Sequence, residues 1–517
     1  MPQNKQFTPL LLLLITIALS MGTFIQILDT SIANVAVPFI SGDLGASSEE
    51  GTWVITSFAV SNAIVLPLTG LLARRFSEVP LFVASTALFS LTSWLCGLAW
   101  NLPVLIFFRI LQGAAGGALI PLSQSLLLQL YPRDKKGLAL GIWSMVVVTA
   151  PIVGPILGGW LTDNYGWRWI FYINIPLGII SALLTWMILW ETVDDKKKHD
   201  PIDYTGFFLL CIAVGALQIL LDKGNQEDWF RSNYINTLAV ISFVGFYFFI
   251  PWNLYSPYPV VNFSFFKDKN FLIGTIITAL GFFVFFGSVV LLPLWLQTQN
   301  GYTATWAGLA VAPIGIFPLI LSLVIGHYVS IIDQRLVLTF SYFIFSMTFF
   351  WLGSFNTDIS FFHIILPRFV QGLGLATFFI PLVTLSLAHI PNEQLASASG
   401  IFNFIRLLAG GGFGTSLFVT LWSRREDYHH SYLIESITPY NPLSRQTFQI
   451  VSEKLYLEGQ SAKQLVDNLV SQQSYMLATN DVFWLSGWIF LSMIPFIWFL
   501  DSQLKAGLPQ KQHLVGE

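Results

Sequence analysis

Long runs of apolar residues recur along the whole chain and are separated by short polar segments. A helix needs about 20 mostly apolar residues to cross a bilayer, and fourteen runs of this kind occur. They lie near residues 8–37, 51–73, 80–98, 103–130, 137–161, 168–190, 203–221, 235–254, 271–297, 303–329, 335–354, 360–388, 396–422 and 481–501. This pattern predicts an all-α polytopic membrane protein with fourteen transmembrane helices.

The composition supports this prediction. Of the 517 residues, 54% are hydrophobic and only 10% are charged, whereas a soluble domain carries about 25% charged residues. The net charge of −3 argues against a nucleic-acid partner. The two cysteines, Cys96 and Cys211, both lie inside apolar runs, so the sequence offers neither a disulfide framework nor a metal-binding spacing.

The charges of the short loops predict the orientation. An even number of spans places both termini on one side, and the loops on that side hold fourteen Lys and Arg residues. The short loops opposite hold only Arg168, Lys223 and Arg231. Because positive loop charges stay in the cytoplasm, we expect both termini there. A long polar loop at about 423–480 faces outward, since long loops translocate largely regardless of charge.

Few charges remain inside the spans. Asp29 is the acid that sits clearly within an apolar run, with Asp222 borderline, and the interior arginines are Arg109, Arg368 and Arg406. A charge at the bilayer centre costs roughly 2.5–3.5 kcal/mol on insertion scales, and such residues usually mark functional sites. Burial disfavours the charged form of Asp29, whereas a neighbouring arginine favours it.

The sequence contains an internal repeat of six helices. Arg109 opens R-I-L-Q-G and Arg368 opens R-F-V-Q-G, each followed by mostly small residues and Ile-Pro. Thr52-Trp53 matches Thr305-Trp306, and Gly141-Ile-Trp matches Gly400-Ile-Phe, in the same order. Parallel six-helix repeats are typical of transporters that rock two halves around a central site.

The repeat predicts the organisation of the chain. It comprises an N-terminal six-helix half (1–191), a cytoplasmic linker (192–202), two additional helices (203–254), a cytoplasmic loop (255–270), a C-terminal half that includes the loop 423–480 (271–505) and a cytoplasmic tail (506–517).

The fifth run contains A-P-I-V-G-P-I-L-G-G at residues 150–159. Proline bends a helix, and small residues four apart let another helix approach closely. We therefore expect Pro151 and Pro155 to bend this span on one face. We expect Gly154 and Gly158, followed by Gly159, to form a packing seam that seals the outer side of a cavity.

These motifs resemble the major facilitator superfamily, specifically its 14-helix drug:proton antiporter branch. The stretch 154–159 matches the antiporter motif of that branch, L-D-T-S-I-A-N-V-A-V-P from Leu28 matches its first-helix motif, and F-R-I-L-Q-G from Phe108 matches its fourth-helix motif. One motif differs from the family pattern: the stretch G-L-L-A-R-R-F-S-E-V from Gly70 carries Arg74 at a position that is normally acidic in the family. We expect the charge network there to be built differently, with Glu78 as a candidate member.

The resemblance implies a multi-pass protein of the bacterial inner (plasma) membrane. It also implies proton-coupled export of several drugs by alternating access, hence antibiotic resistance, with the proton gradient as energy source and no cofactor. It makes Asp29 the proton carrier and implicates Arg109 in controlling its charge, although a purely structural ion pair is the alternative. Gln26 is expected to share the face of Asp29 and to hydrogen-bond along it. The candidates for the substrate cavity are Gln26, Asn34, Gln112, Arg368, Gln371, Asn403 and Arg406.

The substrate class remains open at this stage. Three arginines and one aspartate make the interior net positive, which favours apolar weak acids, such as benzoate-like antibiotics and protonophores, over lipophilic cations. Export of a specific metabolite, siderophore or lipid is an alternative. An enzyme is disfavoured because the seven histidines are scattered and no paired acids occupy a helix end, and no glycine-rich phosphate-binding loop supports an ATP-driven pump.

The resemblance also implies a tripartite assembly with a periplasmic adaptor of the membrane-fusion type and an outer-membrane channel. Apolar residues repeat at helical spacing near 446–475 within the loop 423–480, which predicts one or two amphipathic helices. This loop is either the docking surface for the adaptor or a simple extramembrane cap.

Overall fold

The computed structural model describes residues 8–132, 135–190, 203–329, 331–438, 440–455 and 460–501. Within these ranges, fourteen helices are long and apolar enough to cross a membrane, as predicted. The predicted linker 192–202 and the tail 506–517 lie outside the described residues.

The first six spans, here called the N-half, are α1 (Pro9–Asp43), α2 (Trp53–Phe76), α3 (Glu78–Gly97), α4 (Leu102–Leu130), α5 (Lys136–Tyr165) and α6 (Trp169–Leu189). Two additional spans follow, α7 (Tyr204–Lys223) and α8 (Asn233–Tyr255). The last six, the C-half, are α9 (Lys269–Thr298), α10 (Thr305–Tyr328), α11 (Gln334–Leu352), α12 (Phe361–Ser386), α13 (Asn392–Glu435) and α15 (Gln460–Ile497), and a shorter helix α14 (Pro442–Leu455) precedes α15.

Polar side chains cap several of these helices. The side chain of Asn101 accepts a hydrogen bond from the backbone N–H of Val104 at the start of α4, at 3.0 Å. Asp203 caps α7 and Asp268 caps α9 in the same way. Such caps satisfy backbone donors that have no partner within the helix, so the apolar runs begin where a capping residue precedes them.

The structure differs from the predicted boundaries in three places. The predicted run 103–130 is interrupted between Gly116 and Leu119, and α13 contains a π-helical segment at Leu408–Gly414. The segment 423–480 is largely helical. The one or two helices predicted near 446–475 correspond to α14 and the start of α15, whereas the continuation of α13 to Glu435 and the joining of α15 to the last span were not predicted. The polar ends of α13 and α15 hid this continuation from a search for apolar runs.

The two halves meet closely at the end of the bundle where α1 begins and α15 ends, which we call the terminal face. Gly141 of α5 lies against the backbone of α10: a methyl group on it would lie 2.6 Å from the carbonyl oxygen of Ser322. Gly400 of α13 lies in the same way 2.6 Å from the carbonyl oxygen of Leu66 in α2. The matched Gly-Ile pairs of the repeat therefore form two equivalent contacts between the halves.

Hydrogen bonds reinforce this contact. Gln124 Oε1 in α4 accepts from Ser399 Oγ and from Asn403 Nδ2 of α13, both at 2.6 Å. Arg74, in the motif that differs from the family pattern, donates from its Nη1 to Ser397 Oγ at 3.2 Å. Asn403 therefore joins the halves and lies within a fully enclosed contact.

Glu78 is engaged inside the N-half. Its carboxylate accepts from Ser125 Oγ and from Gln129 Nε2 of α4, both at 2.8 Å. The two charged residues of the stretch from Gly70 therefore have different partners. Arg74 contacts the C-half, and Glu78 connects α3 with α4.

The two additional helices connect the halves along one side. Lys223 Nζ of α7 donates to Thr52 Oγ1 at 2.6 Å, next to a hydrogen bond from Thr56 to Asp222. On its other side, α7 accepts a hydrogen bond at the carbonyl of Leu221 from Ser416 of α13. Asp222, which was borderline in the sequence, is therefore held against α2.

We expect Gly400→Ala to destabilise the protein, because the added methyl group would press on the carbonyl of Leu66. Overpacking of this kind costs about 1–3 kcal/mol. Thermal unfolding of the purified protein in detergent should show a lower midpoint, and Gly141→Ala should behave alike.

Gly308→Ala in α10 is the matched control. No heavy atom lies within 4 Å of the position that its methyl group would take, and alanine is favoured over glycine in a helix by about 1 kcal/mol. Its midpoint should stay unchanged or rise. Equal midpoints for the Gly400 and Gly308 variants would contradict the close contact.

Candidate functional site

Asp29 lies in the middle of α1 and is completely buried inside the N-half. Its Oδ2 forms an ion pair with Arg109 Nη1 of α4 at 2.5 Å. Its Oδ1 accepts from Gln112 Nε2 at 3.0 Å and from Asn174 Nδ2 of α6 at 2.8 Å. Three donors from two other helices therefore hold both oxygens of the carboxylate.

Arg109 has acceptors besides Asp29. Its Nε donates to the carbonyl oxygen of Val54 in α2 at 3.0 Å, and its Nη1 also donates to Gln112 Oε1 at 2.7 Å. The guanidinium lies 4.3 Å from the ring centre of Phe58, within the range of cation–π attraction. The arginine thus keeps several partners if Asp29 becomes neutral.

Sequence reasoning placed Asp29 and Arg109 together correctly but missed Asn174. Asn174 is fully buried, and besides Asp29 its Nδ2 contacts Ser93 Oγ of α3 at 3.1 Å. Cys96, also in α3, donates its Sγ–H to Gln112 Oε1 at 3.4 Å. The available signal was an amide in the otherwise apolar run 168–190, because a buried polar group needs a partner.

Gln26 and Asn34, the two other polar candidates on α1, lie outside this network. Gln26 is buried beside Gly116, and its Oε1 has no hydrogen-bond partner among the described residues. The expected hydrogen bond along the helix to Asp29 is therefore not formed by this oxygen. Asn34 is exposed, because five residues rotate a side chain by about 140° around an α-helix.

The glycine seam of α5 packs against α1 next to Asp29. A methyl group on Gly154 would lie 2.6 Å from Ser31 Oγ, and one on Gly158 would lie 2.8 Å from Ile32 Cγ1. Ser31 Oγ also donates to the carbonyl oxygen of Pro151 at 3.1 Å. The seam predicted at positions 154 and 158 thus lies inside the N-half and fixes the distance between α1 and α5.

The other two motif residues do not take part in this seam. Pro155 is exposed, and no heavy atom lies within 4 Å of a methyl group built on Gly159.

Arg368 of α12 is completely buried in the C-half. Its Nη1 donates to Gln371 Oε1 at 2.7 Å and its Nη2 donates to the carbonyl oxygen of Ser288 in α9 at 3.2 Å. None of the ion pairs among the described residues includes Arg368. This arginine uses a backbone carbonyl in place of an acid.

Arg406 of α13 lies between aromatic rings near the contact of the two halves. Its guanidinium carbon is 5.0 Å from the ring centre of Phe282 and 5.1 Å from that of Phe379. Trp143 of α5 stacks on Phe379 at 5.6 Å, so the N-half packs against one of the two rings that contact the cation. Arg406 Nε has no hydrogen-bond partner among the described residues.

The π-helical segment of α13 follows Arg406 directly. It contains Gly410, Gly412 and Gly414, and a methyl group on Gly414 would lie 2.4 Å from the carbonyl oxygen of Phe283 in α9. This close approach brings α9, and with it Phe282, against Arg406. π-Helical segments frequently occur at functional sites.

Known proteins show the same architecture. The family model of the Major Facilitator Superfamily matches residues 19–415. The multidrug export protein EmrB of Haemophilus influenzae is 48% identical over 499 residues, which cover 96% of this chain and 97% of that protein. The fatty acid resistance protein FarB of Neisseria gonorrhoeae is 47% identical over 493 residues, which cover 95% and 97%.

The solved structure of the proton:xylose symporter XylE superposes with a TM-score of 0.62 at 14% identity, covering 96% of this chain and 97% of that one. At this identity the likeness concerns the fold alone. The family match and the full-length relatives confirm the resemblance expected from the motifs. The chain therefore belongs to the Major Facilitator Superfamily of membrane transporters, and it resembles the EmrB multidrug exporters over nearly its full length.

Proposed function

We propose that this protein is an inner-membrane exporter that exchanges protons for hydrophobic drugs by alternating access. The observation that carries the proposal is the enclosed carboxylate of Asp29, held by Arg109 and by two amides inside the N-half. The relatives named as multidrug export proteins support the same function.

The contacts of Asp29 and Arg109 suit a reversible proton load. When Asp29 is charged, its ion pair with Arg109 compensates the cost of burial. When Asp29 takes up a proton, that pair is lost, but Arg109 still has the carbonyl of Val54, the side chain of Gln112 and the ring of Phe58. When the pair opens, the guanidinium of Arg109 keeps its hydrogen bonds to Val54 and Gln112, while its charge is left without an anionic partner, as that of Arg368 is in the C-half.

The terminal face is the cytoplasmic gate in this proposal. The loop charges favour a cytoplasmic position for both termini, and the halves pack closely at that face through Gly141 and Gly400. Export then requires the halves to separate there to admit a drug, and to close again while the drug leaves on the periplasmic side.

A proton gradient suffices as the energy source. One proton moving down about 100 mV gains roughly 2.3 kcal/mol, and one pH unit adds about 1.4 kcal/mol. For a neutral substrate exchanged one for one, this sustains an outward gradient of roughly several hundred-fold.

The interior charges favour apolar weak acids as substrates. Arg109 has Asp29 as its partner, whereas no ion pair among the described residues includes Arg368 or Arg406. Arg406 between Phe282 and Phe379 combines a cation with aromatic surface, which suits an aromatic or long-chain carboxylate. The relative named as a fatty acid resistance protein agrees with this preference, since a fatty acid is an apolar weak acid.

The helices beyond the spans supply a docking surface for a periplasmic adaptor of the EmrA type, itself connected to an outer-membrane channel of the TolC type. One side of α14 packs on α15 through Val451, which is buried. Leu443 and Ile450 of α14 are exposed, at 72% and 44%. Exposed apolar side chains on an amphipathic helix are typical of a surface that binds another protein.

Asp29→Asn should abolish substrate-driven proton movement, because asparagine keeps the shape of the side chain but cannot carry a proton. The measurement is proton release on drug addition to inverted membrane vesicles. Asp43→Asn is the matched control, since Asp43 lies at the other end of α1 in a half-exposed pair with Arg168. Full proton coupling in the Asp29 variant would remove this residue from the mechanism.

Arg406→Gln should reduce the export of benzoate-like weak acids by roughly tenfold or more, the value of a lost charged hydrogen bond. Export of quaternary-ammonium compounds should persist or improve, since a positive charge has been removed. Competition between the two substrate classes in vesicles measures this ratio. Arg231→Gln is the control, because Arg231 is 85% exposed outside the spans. Wild-type protein that prefers quaternary-ammonium compounds would refute the weak-acid assignment.

Replacement of residues 440–459 by a short Gly/Ser linker should prevent co-purification with the adaptor. Drug-dependent proton release in vesicles should survive, because the fourteen spans stay intact. A variant that still co-purifies with the adaptor would place the docking surface elsewhere.

A further inference from the structure

Each half of the protein contains the same buried pair of side chains at its Arg-x-x-Gln motif. We call Arg109 with Gln112 the N-half clamp, and Arg368 with Gln371 the C-half clamp. In both clamps the arginine Nη1 donates to the glutamine Oε1 at 2.7 Å. All four side chains are completely buried, so the two clamps share geometry as well as sequence.

The N-half clamp closes on a carboxylate. The first helix of that half, α1, delivers Asp29 to Arg109 Nη1 at 2.5 Å and to Gln112 Nε2 at 3.0 Å. The glutamine thus has both ends satisfied, with its oxygen on the arginine and its nitrogen on the acid. In the N-half, the Arg-x-x-Gln motif therefore binds a carboxylate.

No carboxylate of the described residues pairs with the C-half clamp. The first helix of that half, α9, offers the carbonyl oxygen of Ser288, at 3.2 Å from Arg368 Nη2. Arg368 Nε and Gln371 Nε2 are both buried and have no acceptor among the described residues. A buried arginine that lacks an anionic partner is costly. Gln371 Nε2, which has no acceptor, is equivalent to Gln112 Nε2, the atom that donates to Asp29 in the N-half.

We infer that the C-half clamp is a binding site for an anion, specifically the carboxylate of an exported weak acid. The carboxylate would accept from Arg368 and Gln371 as Asp29 accepts from Arg109 and Gln112. Its identity as a substrate group rests on the proposed function, whereas anion binding itself rests on the clamp. An inorganic anion such as chloride shares this chemistry, and the experiment separates the two sources.

The C-half clamp is closed to an incoming anion in this conformation. Arg368 is completely buried in this conformation, so an anion reaches it only when helices around α12 move. Once bound, the anion neutralises the guanidinium and allows the helices to pack around it. Anion binding should therefore accompany a change of conformation and raise the thermal stability of the protein.

The test uses the purified full-length protein in a zwitterionic buffer of low salt, with an Arg406→Gln background so that Arg406 does not contribute. Titration calorimetry measures benzoate binding, and thermal unfolding with and without benzoate gives a second readout. Gln371→Leu removes the free donor and should weaken binding roughly tenfold. Gln371→Glu places a carboxylate inside the clamp and should abolish binding together with the benzoate-induced stabilisation.

Gln297→Glu is the matched control, because Gln297 is an exposed residue of the same half, and it should bind benzoate like the parent protein. Equal benzoate affinity in the Gln371→Glu and Gln297→Glu variants would overturn the proposal. Chloride that binds at the clamp and is not displaced by benzoate would overturn the substrate assignment.

The test of the C-half clamp can succeed or fail independently of the test of the proposed function. Loss of proton release in Asp29→Asn with unchanged benzoate binding in the Gln371 variants would leave the drug antiport standing and remove the clamp. Clamp-dependent benzoate binding in a protein that shows no proton coupling would support the clamp and contradict the proposed proton antiport.

Discussion

The structure of the N-half depends on one ion pair in an environment that excludes water. Asp29 and Arg109 are both completely buried, and two charges in such a place are tolerated only when each has further hydrogen-bond partners. Those partners come from α2 through the carbonyl of Val54, from α4 through Gln112 and from α6 through Asn174. Four helices must therefore keep their mutual positions for the pair to exist.

The comparison of the two halves shows what the pair adds to a common framework. Duplication left the same arginine–glutamine geometry in both halves, but α1 supplies an acid where α9 supplies a backbone carbonyl. The N-half thus carries a counter-ion for its clamp arginine, whereas within the described part of the chain no acid pairs with the clamp arginine of the C-half. Such an asymmetry suits a division of labour in which one half handles the proton and the other half handles an anionic substrate.

Much of this arrangement could be predicted from the sequence, because hydrophobic runs and interior charges are local signals. The number of spans and the repeat follow from them, and the structure agrees on the spans. The involvement of Arg109 with Asp29 was implied by the family resemblance, and the structure brings the two side chains into contact. Asn174 could not be assigned, since a single amide in an apolar run does not indicate which helix it faces. The helical continuation of α13 and α15 was missed for a different reason: their outer ends are polar and leave the apolar pattern.

The glycines of α5 connect the ion pair with the gate in physical terms. α5 runs as an unbroken helix from Lys136 to Tyr165. Near its middle, Gly154 touches Ser31, two residues from Asp29, and near its start, Gly141 touches the backbone of α10 in the other half. Protein interiors are close-packed and do not deform continuously. In the proposed cycle, a shift of α1 that followed the charge of Asp29 would press on α5 at Gly154, and the same helix carries Gly141 at the contact between the halves.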